Sequence, residues 1–273
     1  RVNVRFNPSE AVNLRVSYAG GYRAPQAFDE DMHIAVVGGK RVRIRLADDL
    51  KEERSHSVSL SADLYHNFGR VQTNLLVEGF YTILDDVFAL RDLEDTDDGG
   101  KIKERYNGSG AAVRGFNVEG RAIFTRWFEL QAGVTLQQSR YKEPEQWSED
   151  ADVPPVRRMF RTPDAYGYFT ASFKPVRNFT ADLTGTCTGS MLVQHMAGSG
   201  VAQDAAVSTP SFFDMNVRLS YDLRIYKEIT LQLYGGVQNL FNAYQKDFDK
   251  GADRDSGYIY GPSLPRSWFV GAK

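Results

Sequence analysis

Phe213-Asp214-Met215-Asn216-Val217-Arg218-Leu219-Ser220-Tyr221-Asp222-Leu223-Arg224-Ile225 alternates apolar and polar side chains without a slip. Successive side chains of a strand leave the pleat on opposite sides, so period two means a sheet with one apolar and one polar face. The run is longer than the roughly 5–6 residues usual in globular sheets. It is long enough for the roughly 9–11 residues that cross a bilayer. Other stretches repeat the pattern. Val12, Leu14, Val16, Tyr18 and Tyr22 oppose Asn13, Arg15, Ser17 and Arg23. Val58, Leu60, Ala62 and Leu64 oppose Ser57, Ser59, Ser61 and Asp63. Phe128, Leu130, Ala132, Val134 and Leu136 oppose Glu129, Gln131, Thr135 and Gln137, and Ile229, Leu231, Leu233 and Val237 oppose Thr230, Gln232 and Gln238.

The connections alternate too. Short turns fall at 7–11, 67–70, 125–127, 174–178 and 224–228, and long polar stretches at 24–54, 85–104, 142–161, 191–210 and 244–257. Tight turns on one rim and long loops on the other are the anatomy of an outer-membrane barrel, whereas a soluble sandwich has no reason to sort its loops by side. Phe6, Phe68, Phe124, Trp127, Phe128, Phe179 and Tyr226 crowd the short turns, and Tyr22, Tyr81, Tyr141 and Phe160 lie toward the loops, as interfacial girdles require. The pattern predicts eleven strands, at 1–7, 11–23, 54–67, 71–84, 104–123, 127–141, 161–173, 178–190, 210–224, 228–243 and 257–272. Single-chain bacterial barrels have even strand counts. Eleven strands therefore fit the C-terminal half of a plugged barrel of about twenty-two. The expected fold is all-β: a transmembrane antiparallel β-barrel, with residues 1–273 as one part of it.

Bulk composition agrees. The 273 residues are 42% hydrophobic with a formal charge of -2, which gives nucleic acid no basic run to bind. The single cysteine, Cys187, excludes an internal disulfide framework and shares the parity of Phe179, Ala181 and Leu183. No apolar stretch reaches the roughly 18 residues of a membrane helix. The negative mean hydropathy does not oppose a barrel, which has only one apolar face. The chain opens on Arg1 with no signal-peptide pattern, so it is read as a piece of a longer protein whose N-terminal strands, plug and signal lie elsewhere.

Four motifs then stand in order along the chain. Gly21-Tyr22-Arg23-Ala24-Pro25 closes a strand, and Leu50-Lys51-Glu52-Glu53-Arg54-Ser55 precedes the next one. Val237-Gln238-Asn239-Leu240-Phe241-Asn242 and Tyr258-Ile259-Tyr260-Gly261-Pro262-Ser263-Leu264-Pro265-Arg266 lie near the end. This set resembles TonB-dependent outer-membrane receptors, with Glu52 standing where the family usually has Pro. The run 244–262 looks most like receptors of the Bacteroides group. The resemblance implies a location in the outer membrane of a Gram-negative bacterium. It implies active, TonB-driven import of a scarce, bulky cargo, with an iron-siderophore, haem or cobalamin foremost, so that the cargo carries iron or cobalt. Further implied partners are the protein's own plug, outer-membrane lipids and a surface lipoprotein; TonB would engage a box outside this stretch. A glycan importer of the starch-utilisation type, a passive porin or outer-membrane enzyme barrel, and a soluble carbohydrate-binding β-sandwich are the rival readings.

Candidate residues follow from the barrel. Arg15, Asp63, Glu129, Asp182, Asp214, Arg218 and Asp222 share the polar face and would line a hydrated lumen and hold the plug. A solvated face of a soluble sheet would look the same. Arg23, Phe28, Met32, His33, Trp147, Met191, His195 and Tyr244 lie in or beside the long loops and would face cargo. Imidazole and thioether suit haem or soft-metal cargo, and aromatics stack on flat ligands. Ordinary loop packing would also explain them. Asp247, Asp249, Asp253 and Asp255 could supply oxygens to structural Ca²⁺. Lys250 and Arg254 are interleaved with them and could pair with them instead. No cofactor is required, and no phosphate loop, nucleophile elbow or zinc spacing marks an enzyme.

Overall fold

The computed structural model describes residues 1–26, 42–95, 101–148, 150–262 and 264–273. In chain order the strands are β1 (Val2–Ser9), β2 (Val12–Arg23), β3 (Val42–Leu46), β4 (Glu53–Phe68), β5 (Val71–Asp85), β6 (Phe88–Asp95), β7 (Lys101–Asn107), β8 (Ala111–Thr125) and β9 (Phe128–Glu145). They continue with β10 (Val156–Arg158), β11 (Ala165–Phe173), β12 (Phe179–Thr188), β13 (Leu192–His195), β14 (Ala205–Ser208), β15 (Phe212–Tyr226), β16 (Ile229–Gln238) and β17 (Ser267–Ala272). Eleven of them follow one another as hydrogen-bonded neighbours, in the order β1-β2-β4-β5-β8-β9-β11-β12-β15-β16-β17. Each of these pairings is antiparallel. The sheet is thus a barrel wall in sequence order, open between β1 and β17.

Tight turns join β1–β2, β4–β5, β8–β9, β11–β12 and β15–β16, and long connections join the rest, as the sequence pattern predicts. The long connections carry structure that the sequence reading left as loop. Strands β3, β7 and β6 form a small sheet, with β3 parallel to β7. Strands β13 and β14 form a hairpin, and β10 pairs with the end of β9.

Three strand ends correct the expected boundaries. The expected strand 104–123 is two strands, β7 and β8. Gly110 between them has φ +85°, and a Cβ there would sit 2.5 Å from the Leu84 carbonyl, so the chain turns on a glycine. Strand β16 stops at Gln238 rather than 243, because Asn239 and Asn242 both take positive φ, 49° and 55°. Asn239 Nδ2 donates to the Ala243 and Leu264 carbonyls, and the Ala243 amide donates to Asn239 Oδ1. The Arg266 amide donates to Asn242 Oδ1. Asparagine tolerates the left-handed region and bonds its own backbone, so this pair builds a turn. The last strand is correspondingly short, and β17 begins only at Ser267.

The two faces separate as the alternation requires. Val4, Leu60, Phe116 and Leu136 point outward and are 55–64% exposed, in cross-strand rows with other apolar side chains. Soluble monomers rarely expose apolar patches of more than a few hundred Å². Phe124, Phe128 and Phe173 stack in series near the short turns, with centroids 5.1 and 4.6 Å apart. The buried apolar cluster does not lie between sheet layers, as a sandwich would need. It sits at the long-loop end, where Val193, Tyr258 and Tyr260 pack with Met191, Val207 and Phe212.

Candidate functional site

Two surfaces face the path that a barrel encloses: the polar wall and the long-loop cluster. On the wall, period two brings side chains from neighbouring strands into register, and they bond sideways. Arg121 pairs with Glu129 at 2.6 Å. Gln131 donates to Glu119 at 2.9 Å and to the Tyr168 hydroxyl at 3.2 Å, and that hydroxyl donates to Glu119. Asp63 accepts from Tyr65 at 2.8 Å and from Asn74. Ser172 donates to Asp182 at 2.7 Å, opposite Arg218. Gln232 donates to Asp222 at 2.9 Å, and Arg218 lies over the Tyr234 ring at 4.7 Å. The sequence-predicted wall residues therefore share one hydrogen-bonded face. Two have no hydrogen-bond partner among the described residues. Arg15 stands across the ladder from Arg5, whose guanidinium is held by Asn7 and Asn13. Asp214 Oδ1 is buried without a hydrogen-bond partner among the described residues.

The long-loop cluster joins three connections. Gln245, 1% exposed, donates to the Tyr258 carbonyl at 3.0 Å, and its Oε1 accepts the Tyr260 amide at 2.7 Å. Asp247 accepts from the Tyr260 hydroxyl at 2.7 Å and the Tyr258 hydroxyl at 3.1 Å. His195 lies flat on Tyr258, with centroids 3.6 Å apart, and its Nε2 meets Asp249 at 2.9 Å. The other Asp249 oxygen accepts the Asp255 amide. Asp255 in turn accepts the amides of Met196 and Gly257 at 2.8 Å. Ser148 and the Ala197 amide both donate to Asp204 at 2.7 Å, which ties in the 146–164 connection. Arg161 adds hydrogen bonds to the Gly257 and Ile259 carbonyls. Desolvation would raise the Asp247 carboxyl, but hydrogen bonds from Tyr260, its own backbone amide, Tyr258 and Gln245 outweigh it and hold the group below the ordinary aspartate range. Burial, then the bond to Asp247, pushes the Tyr260 phenol far above its usual value.

This geometry revises several loop assignments. His195 and Met191 are turned into the cluster rather than toward cargo, because a buried imidazole–carboxylate pair and an apolar pocket satisfy them there. Asp247, Asp249 and Asp255 are engaged one by one by Tyr, His and backbone donors, and Asp253 takes part through its carbonyl, which accepts the Ser199 amide. Among the described residues, no group of three or more His, Cys, Asp or Glu gathers to hold a metal ion. Among the described residues neither interleaved base pairs with a carboxylate, and Arg254 donates to the Gly251 carbonyl. Trp147 packs edge-on against Phe160 at 5.3 Å, with its indole N–H buried and unpartnered among the described residues. Arg23 ends β2 over the Phe88 ring at 5.5 Å. Phe28, Met32 and His33 lie outside the described residues. Sequence reasoning missed Gln245, Tyr258 and Tyr260 as the centre of the cluster. Alternation counted the tyrosines as a strand, and nothing local shows that they turn toward a distant hairpin.

An apolar outer face, a polar inner face and loops sorted to one rim define the wall of a transmembrane β-barrel. A family model described as TonB dependent receptor-like, beta-barrel matches residues 1–240. The chain belongs to that family, whose place is the Gram-negative outer membrane. The 244–262 run lies beyond the matched residues. No curated protein matches the sequence. Similar solved structures include the ferric-catecholate import receptor Fiu from K12 E. coli, at 16% identity and TM-score 0.64 over 99% of this chain and 34% of that one. The siderophore receptor PirA from Pseudomonas aeruginosa is similar at 14% identity and TM-score 0.65 over 99% and 40%. The copper transporter OprC is similar at 12% identity and TM-score 0.64 over 99% and 38%. The chain spans about two fifths or less of these structures, and at such identities the likeness is one of fold.

Proposed function

We propose that this chain is part of an active importer of metal complexes, driven by TonB. Family membership carries the reading, and the import and transport names of structural neighbours point to metal cargo. The segment contributes barrel wall and a loop surface and has no catalytic role. The Arg5–Arg15 pair suits contact with a plug, which buries polar groups only with partners. The loop cluster gives the long-loop rim a rigid frame, on which exposed side chains of neighbouring loops can meet cargo. TonB, a plug and a surface lipoprotein would be the partners of such an importer. The test is element-resolved mass spectrometry of the full-length parent purified from native outer membranes. Near-stoichiometric iron, cobalt or copper is the expected result. Bound oligosaccharide without a transition metal would replace the reading with a glycan importer of the same fold.

A further inference from the structure

Glu145 closes β9, past Tyr141, the last β9 residue that pairs with β8. Val156 of β10 pairs with it there. Its carboxylate is half-buried and has no hydrogen bond or ion pair among the described residues. The other described glutamates at the long-loop end are all paired: Glu52 with Arg54, Glu53 with the Phe88 amide, Glu104 with Arg91 and Glu143 with Arg157. Two tyrosines stand around Glu145. Tyr141 continues the polar parity of Glu129 and Gln131 along β9, so it faces the enclosed path rather than the membrane. Tyr106 comes from β7 of the small loop sheet. Gly108, just beyond it, lets that chain run against the carboxylate: a Cβ there would lie 3.7 Å from Glu145 Oε2. The charge of Glu145 reaches both phenols. Neither hydroxyl has a hydrogen-bond partner among the described residues. Arg91 lies over the Tyr106 ring at 4.9 Å, but its charge is already met by Glu104. Burial alone pushes the Glu145 carboxyl above the ordinary glutamate range, with no cation among the described residues to offset it.

We propose that Tyr106, Tyr141 and Glu145 receive a primary ammonium group carried by the cargo. The inference rests on the reading of the chain as part of an importer. A half-buried carboxylate without a counter-charge is costly, and a cation removes that cost. A primary ammonium has three N–H donors, and a carboxylate beside two phenol oxygens offers acceptors for all of them. Tyrosine rings attract cations as well. The site lies on the cargo path, because Tyr141 belongs to the inner face and Tyr106 to a sheet built from two of the long connections.

The experiment titrates the full-length parent protein, in detergent micelles, with two probes. One is a linear ferric tris-hydroxamate that ends in a free primary ammonium. The other is the same chelate with that amine acetylated. Isothermal calorimetry reads both affinities. The ammonium chelate should bind about tenfold or more tightly than its acetylated twin, the scale of one charge-assisted hydrogen bond. E145Q should bring the ratio close to unity. Y106F/Y141F should lower it about fivefold and leave the affinity for the acetylated chelate unchanged. Heat-modifiable gel mobility confirms that each variant is a folded barrel. Equal affinity of the two chelates in wild type, or an unchanged ratio in E145Q, would overturn the site and leave the metal-complex reading standing. Binding of neither chelate would overturn it too. The importer reading fails by a separate result, native outer-membrane preparations that hold no iron, cobalt or copper.

Discussion

Asp249 holds the long-loop cluster from two sides. Its side chain is 4% exposed, bonded through one oxygen to His195 and through the other to the Asp255 amide. Removing it leaves a buried imidazole and a backbone N–H unpaired, which costs about 1–3 kcal/mol. Asp249→Ala should therefore speed amide hydrogen exchange across 192–208 and 244–260 by roughly five- to a hundredfold, with β4, β5 and β8 unchanged. Unchanged exchange in the loops would mean that the stack of His195 on Tyr258 and the apolar pocket hold the hairpin alone. Asn239 and Asn242 show a different kind of residue effect. Their side chains close a turn through their own neighbourhood, so the motif that contains them has a local physical reason.

At the scale of the strand, β15 carries the clearest test of facing. Leu219, near its middle, is 46% exposed on the apolar face and pairs with Ala181 and Gly235. Ser220, one residue on, faces the polar side between Thr180 and Tyr234. An arginine on the lipid face at the bilayer midplane costs about 2–4 kcal/mol, whereas lumen positions are permissive. Leu219→Arg should lower the yield of folded barrel in lipid vesicles well below that of Ser220→Arg, read by heat-modifiable mobility. Equal yields would reverse or erase the facing assignment. Much of this element was legible in advance, because period two is a local property of the strand. The split of 104–123 into β7 and β8 was not, because it depends on a single glycine meeting the Leu84 carbonyl of another strand.

As a whole molecule the described chain is a wall with two sides and two edges. Its apolar face has no protein cover, and β1 and β17 each present one unpaired edge. Open apolar edges template association with other chains. Residues 1–273 expressed alone should therefore associate in detergent-free buffer and elute as large species in size-exclusion chromatography. A compact, stable monomer in that buffer would favour the β-sandwich reading.

The fold class was determined by the sequence itself. Alternation in segments such as 213–225, and loops sorted by length, are repeated local patterns, and a single strand count follows from them. The polar face with Asp63, Glu129, Asp182 and Asp222 came with that parity, since facing along a strand is a matter of odd and even. What each loop side chain touches was decided only by the tertiary structure. His195 and Asp249 are 54 residues apart, and their contact exists because the β13–β14 hairpin folds back over the 239–266 connection. Three of the four aspartates whose spacing suggested a cation site are satisfied instead by Tyr258, Tyr260, His195 and backbone amides. A carboxylate takes whichever donors the fold brings within reach, and no local pattern names donors that arrive from another loop.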